Sequence, residues 1–478
     1  MFLGRLARHA AARPHAPALV RGRTVVGYGA LMDQVEDRAA ALARLGIGAD
    51  DVVGLTIANE IDHLVTCLAL MRTGAAQITL GSHDPPAMRD RLAERVGVTC
   101  RLSAGLGLDG RARGGSASSD ADERPAIYLP GSGTTGTVKL VSLSGTQIAT
   151  QASVAYQDYG GERILQPAPV EYNNGKRLRL YCLDHGGACI FRDPADPPLP
   201  TLCREQGVTW FDMSTYHARA LVDASAEQGR LPEFTRVRIG GSRVSGGLRA
   251  DFRERVSERL FISYGATEIG GMPGISIAAP EEQSPDAEIV GRPLAGMEVV
   301  IVDDDGRPQE AGSVGEVRIR APGMVTDYVG DPVATRRFFR EGWFQPGDLM
   351  SLGRDGRLVF HGRVDDMIIL NSINIFPGEI ERVLEEHPMV AEAAAYPVPS
   401  GVHGQIPVAA VEPREGAAPD GRALLAFARE RLGVRAPRKI IVMERLPRNE
   451  QGKVLKRVLA AAQDRREAAP SPGRSGTP

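Results

Sequence analysis

The chain has 478 residues, 42% apolar and 24% charged, a balance that fits roughly two to four globular domains and excludes a collagen-like or wholly disordered chain. Its net charge of −2 argues against nucleic acid as the main partner, because phosphate binding needs a net basic footprint. The 57 basic residues comprise 52 Arg and five Lys, at 139, 176, 439, 453 and 456, so a generic surface charge is written as Arg and each Lys invites a question.

In chain order, the Arg-rich opening MFLGRLARHAAARPHAP has the flavour of a transit peptide. It reads better as a first amphipathic helix leading into the strand ALVRGRTVVGY. Helical apolar spacing follows over 30–45 (Leu31, Val35, Ala39, Leu42) and 61–73 (Leu64, Val65, Leu68, Met71), with DVVGLTI (51–57) as a buried strand between them. This alternation predicts an α/β architecture. Residues 104–124, rich in Gly, Ser, Ala and Arg, read as a flexible surface loop. Apolar segments then resume as AIYL, LRLYCL, GVTWFDM, RVRIGG and LFISYG. From about 290 the texture changes to short strands with Asp-Gly turns, in VVIVDDDGRP and SLGRDGRLVFHGR. A compact last section has a helix at FPGEIERVLEEH with Pro377 in its first turn, strands at VAEAAAYPV and IPVAAVEP, and a helix at ALLAFARERLG. The Pro/Gly/Ser-rich end, 464–478, reads as a disordered tail. No apolar run is long enough to span a membrane. The five Cys are scattered, with no CxxC and no Cys/His cluster at metal spacing, so neither a disulfide framework nor a structural zinc site is expected. The expected compartment is a reducing cytoplasm.

The sharpest local feature is AIYLPGSGTTGTVK, 126–139. Gly131, Gly133 and Gly136 satisfy GxGxxG after a strand, but Pro130 and the hydroxyls of Ser132, Thr134 and Thr135 crowd the turn against a dinucleotide reading. Two residues separate Gly136 from Lys139, which rules out a Walker A loop. What remains is a loop of backbone N–H groups, three hydroxyls and one cation, a set suited to nucleotide phosphates; the plain alternative is an exposed Gly/Ser loop.

This segment resembles the phosphate loop of the adenylate-forming superfamily, which includes acyl- and aryl-CoA synthetases, peptide-synthetase adenylation domains and luciferase. Further segments resemble the family's motifs in order: GGSRVS (240–245), YGATEIGG (264–271), GWFQPGDL (342–349), LVFHGRVDDMIILNSINIFPGEIE (358–381) and LPRNEQGKVLKR (446–457). Together they cover the chain from about 15 to 460. The resemblance implies a large layered α/β N-terminal domain with a β subdomain, 1–362. A small mobile α+β C-terminal lid follows, 363–463, with the hinge at Asp365.

It also implies roles. Lys453 bridges the acyl carboxylate and α-phosphate, Thr267 contacts that phosphate, and Glu268 helps hold Mg²⁺. ATP or AMP is bound by Ser132, Gly133, Thr134, Thr135, Gly136, Lys139, Gly241, Ser242, Tyr264, Gly265, Ala266, Asp348, Phe360 and Arg363. Asp348 takes the ribose hydroxyls. Tyr172, Asn173, Gly240, Gly270, Gly271 and Ser372 line the acyl and acceptor pocket, and Asn173, Ser242 and Ala266 are candidates for touching the acid. Three departures stand out: Pro346 where Thr is usual, Tyr172-Asn173 in PVEYNNG, and Ser372 where many thioester-forming members have Gly.

The implied activity is ATP-dependent activation of a small carboxylic acid as its adenylate, with release of pyrophosphate and transfer to coenzyme A. Three alternatives stay open: transfer to a carrier protein or an amine, activation of a different small oxyanion, and a non-catalytic binding protein that kept the fold. The last predicts loss of Lys453, Glu268 or Asp348, and all three are present. Lys456 is expected to steady the segment around Lys453, and Lys176 and Lys439 to be ordinary surface charges.

Overall fold

A computed structural model describes residues 1–82, 84–116, 122–131, 138–155, 161–270, 276–284, 287–371, 373–400, 402–449 and 452–468. Among them three sheets carry a mixed α/β fold. The longest has a parallel part and a larger antiparallel part. Strands Leu260–Tyr264, Arg236–Gly240, Trp210–Met213, Arg163–Leu165, Ala188–Phe191 and Pro17–Arg21 lie side by side and parallel. The sheet continues beyond Leu260–Tyr264 through Ser276–Ala278 and Ile289–Pro293 into antiparallel strands that include Asp348–Leu352 and Leu358–Arg363. A six-stranded sheet runs through Val52–Thr56, Ala76–Thr79 and Pro125–Pro130. A five-stranded sheet is formed wholly from residues between Ile368 and Val442.

Apolar burial dictates these layers. The largest core cluster joins both big sheets through helices Phe2–Ala12, Tyr28–Arg44, Glu60–Thr73, Gly145–Ala155 and Asn173–Asp184. The last is buried on every side from Gly175 to Asp184, as a helix between two sheets must be. The apolar segment LRLYCL therefore lies within a helix. The five-stranded sheet has its own core: helices Pro377–Glu385 and Gly421–Leu432 cover one face with Ile380, Leu384, Leu424 and Ala428. Leu446 and Leu459 cover the other. Among the described residues no helix is long and apolar enough to cross a membrane.

Two expectations are corrected. ALVRGRTVVGY is not one strand but a hairpin, Pro17–Arg21 paired with Thr24–Gly27; Gly22 turns it at φ +55°, a conformation open to a residue without Cβ. The stretch 104–124 is not simply a free loop. Leu108–Gly110 pairs with Cys100–Ser103, and the chain then returns to the buried Asp51. That carboxylate accepts from the N–H groups of Gly48 (3.0 Å), Arg113 (2.7 Å) and Gly114 (2.9 Å) and from the Thr99 hydroxyl (2.6 Å). A buried carboxylate must find such partners, and backbone amides supply them when side chains do not.

Burial opposes the Asp51 charge, but the Thr99 hydroxyl and these amides hold its pKa below the ordinary 3.8. A depressed carboxylate stabilises the fold fully above 3.8, and the contribution is lost as pH falls through the lower folded value. Asp51→Asn should cost about 1–3 kcal/mol at pH 7, measured by urea unfolding, and the deficit should shrink below pH 3.8.

Candidate active site

A cavity of about 820 Å³ opens beyond the carboxyl ends of strands Arg236–Gly240 and Leu260–Tyr264 and is closed over by Lys453 and Asp366 from the C-terminal part of the chain. Parallel sheets place ligand sites at this end because the strand-to-helix loops converge there.

On one wall, strand pairing sets the geometry. Asp348 lies opposite Arg363 in antiparallel register. Arg363 donates to Asp348 Oδ1 at 2.8 Å and to the Pro346 carbonyl at 2.9 Å. At the unusual Pro346 it is thus the backbone that is used. Tyr264, ending its strand, donates its hydroxyl to Asp348 Oδ2, and its ring lies 6.2 Å from that of Phe360. Burial raises the Asp348 carboxyl pKa, opposed by Arg363, Tyr264 and Lys453. Burial and then the Arg363 charge push the Lys453 ammonium below its ordinary value, while Asp366 and Asp348 pull it up. Its loop is pinned by Asn449, whose Oδ1 accepts from the Lys453 N–H at 2.8 Å.

Glu268, Thr267 and Lys139 line the same cavity. Glu268 Oε1 accepts the Tyr328 hydroxyl at 2.6 Å, and its carbonyl accepts Val325 N–H at 3.0 Å. Lys139 Nζ sits 3.4 Å from the Phe338 ring centroid and 5.3 Å from that of Tyr328, an ammonium held on aromatic faces. Burial lowers its pKa, with Glu268 opposing. Gly131 N–H donates to the Lys139 carbonyl at 2.6 Å and pinches the base of the glycine-rich loop. The Thr267 carbonyl is held by Arg177 at 2.9 Å; that guanidinium is also bound to Gln151 and Tyr181.

Gly240, Gly241, Ser242, Gly265, Ala266, Tyr172 and Asn173 also line the cavity. Gly241 is at φ +85° with open space where a Cβ would point. Ser242 shares a 2.7 Å hydrogen bond with Thr215. Tyr172 and Asn173 open the helix Asn173–Asp184, and Asn173 donates its amide to the Pro130 carbonyl. Two residues are not brought to the cavity lining. The Gly270 carbonyl instead accepts the Tyr181 hydroxyl at 3.2 Å, and Asp365 pairs on the surface with Arg337 at 3.3 Å. Ser132, Gly133, Thr134, Thr135, Gly136, Gly271 and Ser372 lie outside the described residues.

The reading of Lys176 as a surface charge is corrected. It is 1% exposed and donates to the Thr79 hydroxyl, which also meets His63 Nε2 at 3.3 Å. Burial lowers its pKa and pushes His63 down to about 3. Lys456 does more than steady its neighbour: it pairs with Glu381 at 2.6 Å. Sequence reasoning also missed Tyr328, Phe338, Arg177 and Arg243. Arg243 lies within GGSRVS but had no role read from it, the other three sit in unremarked local patterns, and only the fold shows all four at the cavity.

With five lysines, a spectrum of chain labelled at the lysine ε-carbon resolves the site directly. Lys139, Lys176 and Lys453 should titrate below 10.5. Arg363→Gln should move Lys139 and Lys453 upward, since removing a neighbouring positive charge favours the ammonium, and should leave Lys176 in place.

The family model described as AMP-binding enzyme matches residues 6–119 and 108–329, and that described as AMP-binding enzyme C-terminal domain matches 379–453. The chain is 29% identical to a 2-succinylbenzoate–CoA ligase of Geobacillus kaustophilus, covering 93% of this chain and 95% of that one. It is 28% identical to a fatty acid–acyl-carrier-protein ligase of Mycobacterium marinum, covering 96% and 97%. Among solved structures, an amide bond synthetase of Marinactinospora thermotolerans superposes with a TM-score of 0.81 at 26% identity, covering 98% of this chain and all of that one.

Proposed function

The chain belongs to the AMP-binding enzyme family, and we propose that it is an ATP-dependent ligase that activates a small carboxylic acid as its adenylate and then forms a thioester with coenzyme A. One observation carries the reading most: Lys453, from the C-terminal part, shares one cavity with Asp348, Thr267, Glu268 and Lys139 of the N-terminal part. A carboxylate oxygen attacks the α-phosphorus of ATP, the bond to the β-phosphate breaks, and pyrophosphate leaves. Lys453 stabilises the charge on the entering carboxylate and the α-phosphate, as a preformed cation in a water-poor site does. Thr267 touches the α-phosphate, Asp348 accepts from the ribose hydroxyls, and Tyr264 and Phe360 pack on adenine. Lys139 and the glycine-rich loop take the departing phosphates. Glu268 is a cavity-lining carboxylate on the same stretch as Thr267, and it would hold Mg²⁺, an ion bound by one or two carboxylates together with phosphate oxygens and water. The ion would neutralise phosphate charge there.

The proposed domains are 1–362 and 363–463, turning about Asp365; the stretch expected as a disordered tail, 464–478, is corrected at its start, because helix Lys456–Ala468 runs through it to 468, and 469–478 lie outside the described residues. After the first half-reaction the lid withdraws Lys453 and admits the acceptor. The second reading changes only that acceptor, to a carrier-protein thiol or an amine. It is favoured by the similarity to an acyl-carrier-protein ligase and an amide bond synthetase.

ATP–pyrophosphate exchange with benzoate, propionate, octanoate and palmitate tests the proposal. Exchange should appear with at least one acid and fall about a hundredfold or more in Lys453→Ala, equivalent to about 3 kcal/mol. Exchange with none of the panel, or exchange untouched by Lys453→Ala, would overturn it. Product formation with coenzyme A, a holo-carrier protein or an amine then assigns the acceptor.

A further inference from the structure

Between Ser242 and Val244, where the chain turns along the cavity, stands Arg243. Its guanidinium forms a two-bond fork with Glu385, at 2.8 and 2.9 Å, across 142 residues of sequence. It also lies 3.0 Å from Glu288 and 3.7 Å from Glu381. Burial works against its charge, yet Glu385, Glu288 and Glu381 together hold its pKa well above the ordinary value. Glu381 and Glu385 are on the lid helix Pro377–Glu385, which buries both. Glu385 accepts Ala393 N–H and Glu381 accepts Ala395 N–H, so both carboxylates are fixed to the lid sheet. Glu381 is also the partner of Lys456, three residues beyond Lys453. The chain of contacts is thus continuous: Arg243 to Glu381 and Glu385, Glu381 to Lys456, and Lys456 to the Lys453 loop.

The cluster is neutral only when assembled. The core contributes Arg243 and Arg249 against Glu288, while the lid contributes Glu381 and Glu385 against Lys456. Separating the faces strands two lid carboxylates with one lysine and leaves a core arginine without its forked partner. Breaking a buried pair of this kind is strongly unfavourable unless water or new partners replace it.

We propose that Arg243 is a positioning residue that latches the lid in the orientation placing Lys453 in the cavity, through its fork with Glu385 and the Glu381–Lys456 link. This rests on the adenylating role given to Lys453 above. Because Arg243 directly follows Ser242, a ligand pressing on Gly241 and Ser242 acts on the same short segment that holds the latch.

The five native cysteines are buried, so cysteines introduced at the exposed positions Val25→Cys and Val402→Cys (54% and 83% exposed) take spin labels selectively. Pulsed electron resonance on the full chain, alone and with MgATP, reads the core-to-lid distance. The unsubstituted pair should show one dominant distance. Arg243→Gln, and independently Glu385→Gln should the first variant not fold, should lower the population at that distance at least twofold. Either should also reduce pyrophosphate exchange at least tenfold. A distance distribution unchanged by both substitutions overturns the proposal. The distance needs no turnover: a reference chain silent in exchange would overturn the catalytic reading, whereas an active chain whose lid ignores Arg243 and Glu385 would overturn the latch alone.

Discussion

The pairing of Asp348 with Arg363 is the contact on which the rest of the site depends. The two residues start and end adjacent antiparallel strands and stand opposite each other in register, so the ladder itself sets their separation. One carboxylate then organises three neighbours: the Arg363 guanidinium, the Tyr264 hydroxyl and, from the other part of the chain, the field around Lys453. Such a buried carboxylate is tolerated because each of its oxygens is satisfied. Arg363 also marks the last residue of its strand before the backbone enters the short turn Val364–Asp366, so the residue that fixes the cavity wall is also where the chain leaves for the five-stranded sheet.

Buried charge recurs as the building principle. Helix Asn173–Asp184 lies wholly between two sheets yet carries Lys176, Arg177, Arg179 and Asp184. Each has found a different neighbour: Thr79, Thr267 and Gln151, Glu60, and Arg5. Arg177 ties this helix to the Thr267 turn, so packing at the centre of the molecule is transmitted to the cavity wall. The same device closes the two parts of the chain on one another at Arg243, and again where Arg219 and Arg448 share Glu392.

What the sequence made legible was local. Strand, loop and helix periods, Pro377 at a helix start and the ordered motifs each lie within a dozen residues; the α/β class follows from them, and the site residues named from the motifs that are described line the cavity, Gly270 and Asp365 excepted. The hairpin at Gly22 and the return of 110–114 to Asp51 were not legible, because each depends on one backbone torsion or on a partner far along the chain. Lys176 misled for a related reason: YNNGK reads as a polar loop, and only helix burial between two sheets turns its cation inward. Arg243 and Glu385 each look like surface charge in isolation. Their meaning exists only once the fold has joined them.

The scarcity of lysine acquires a chemical sense from where the five lie. Lys176 is sealed in the core, Lys139 and Lys453 face the cavity, Lys456 is engaged by Glu381, and Lys439 is the exposed one. An acyl-adenylate is a mixed anhydride that acylates free amines, and a guanidinium, protonated at every physiological pH, is a poor nucleophile. A surface written in arginine keeps the solubility that charge confers while offering such an intermediate almost nothing to react with, so adenylate that escapes the cavity would leave the protein's exterior largely unmodified.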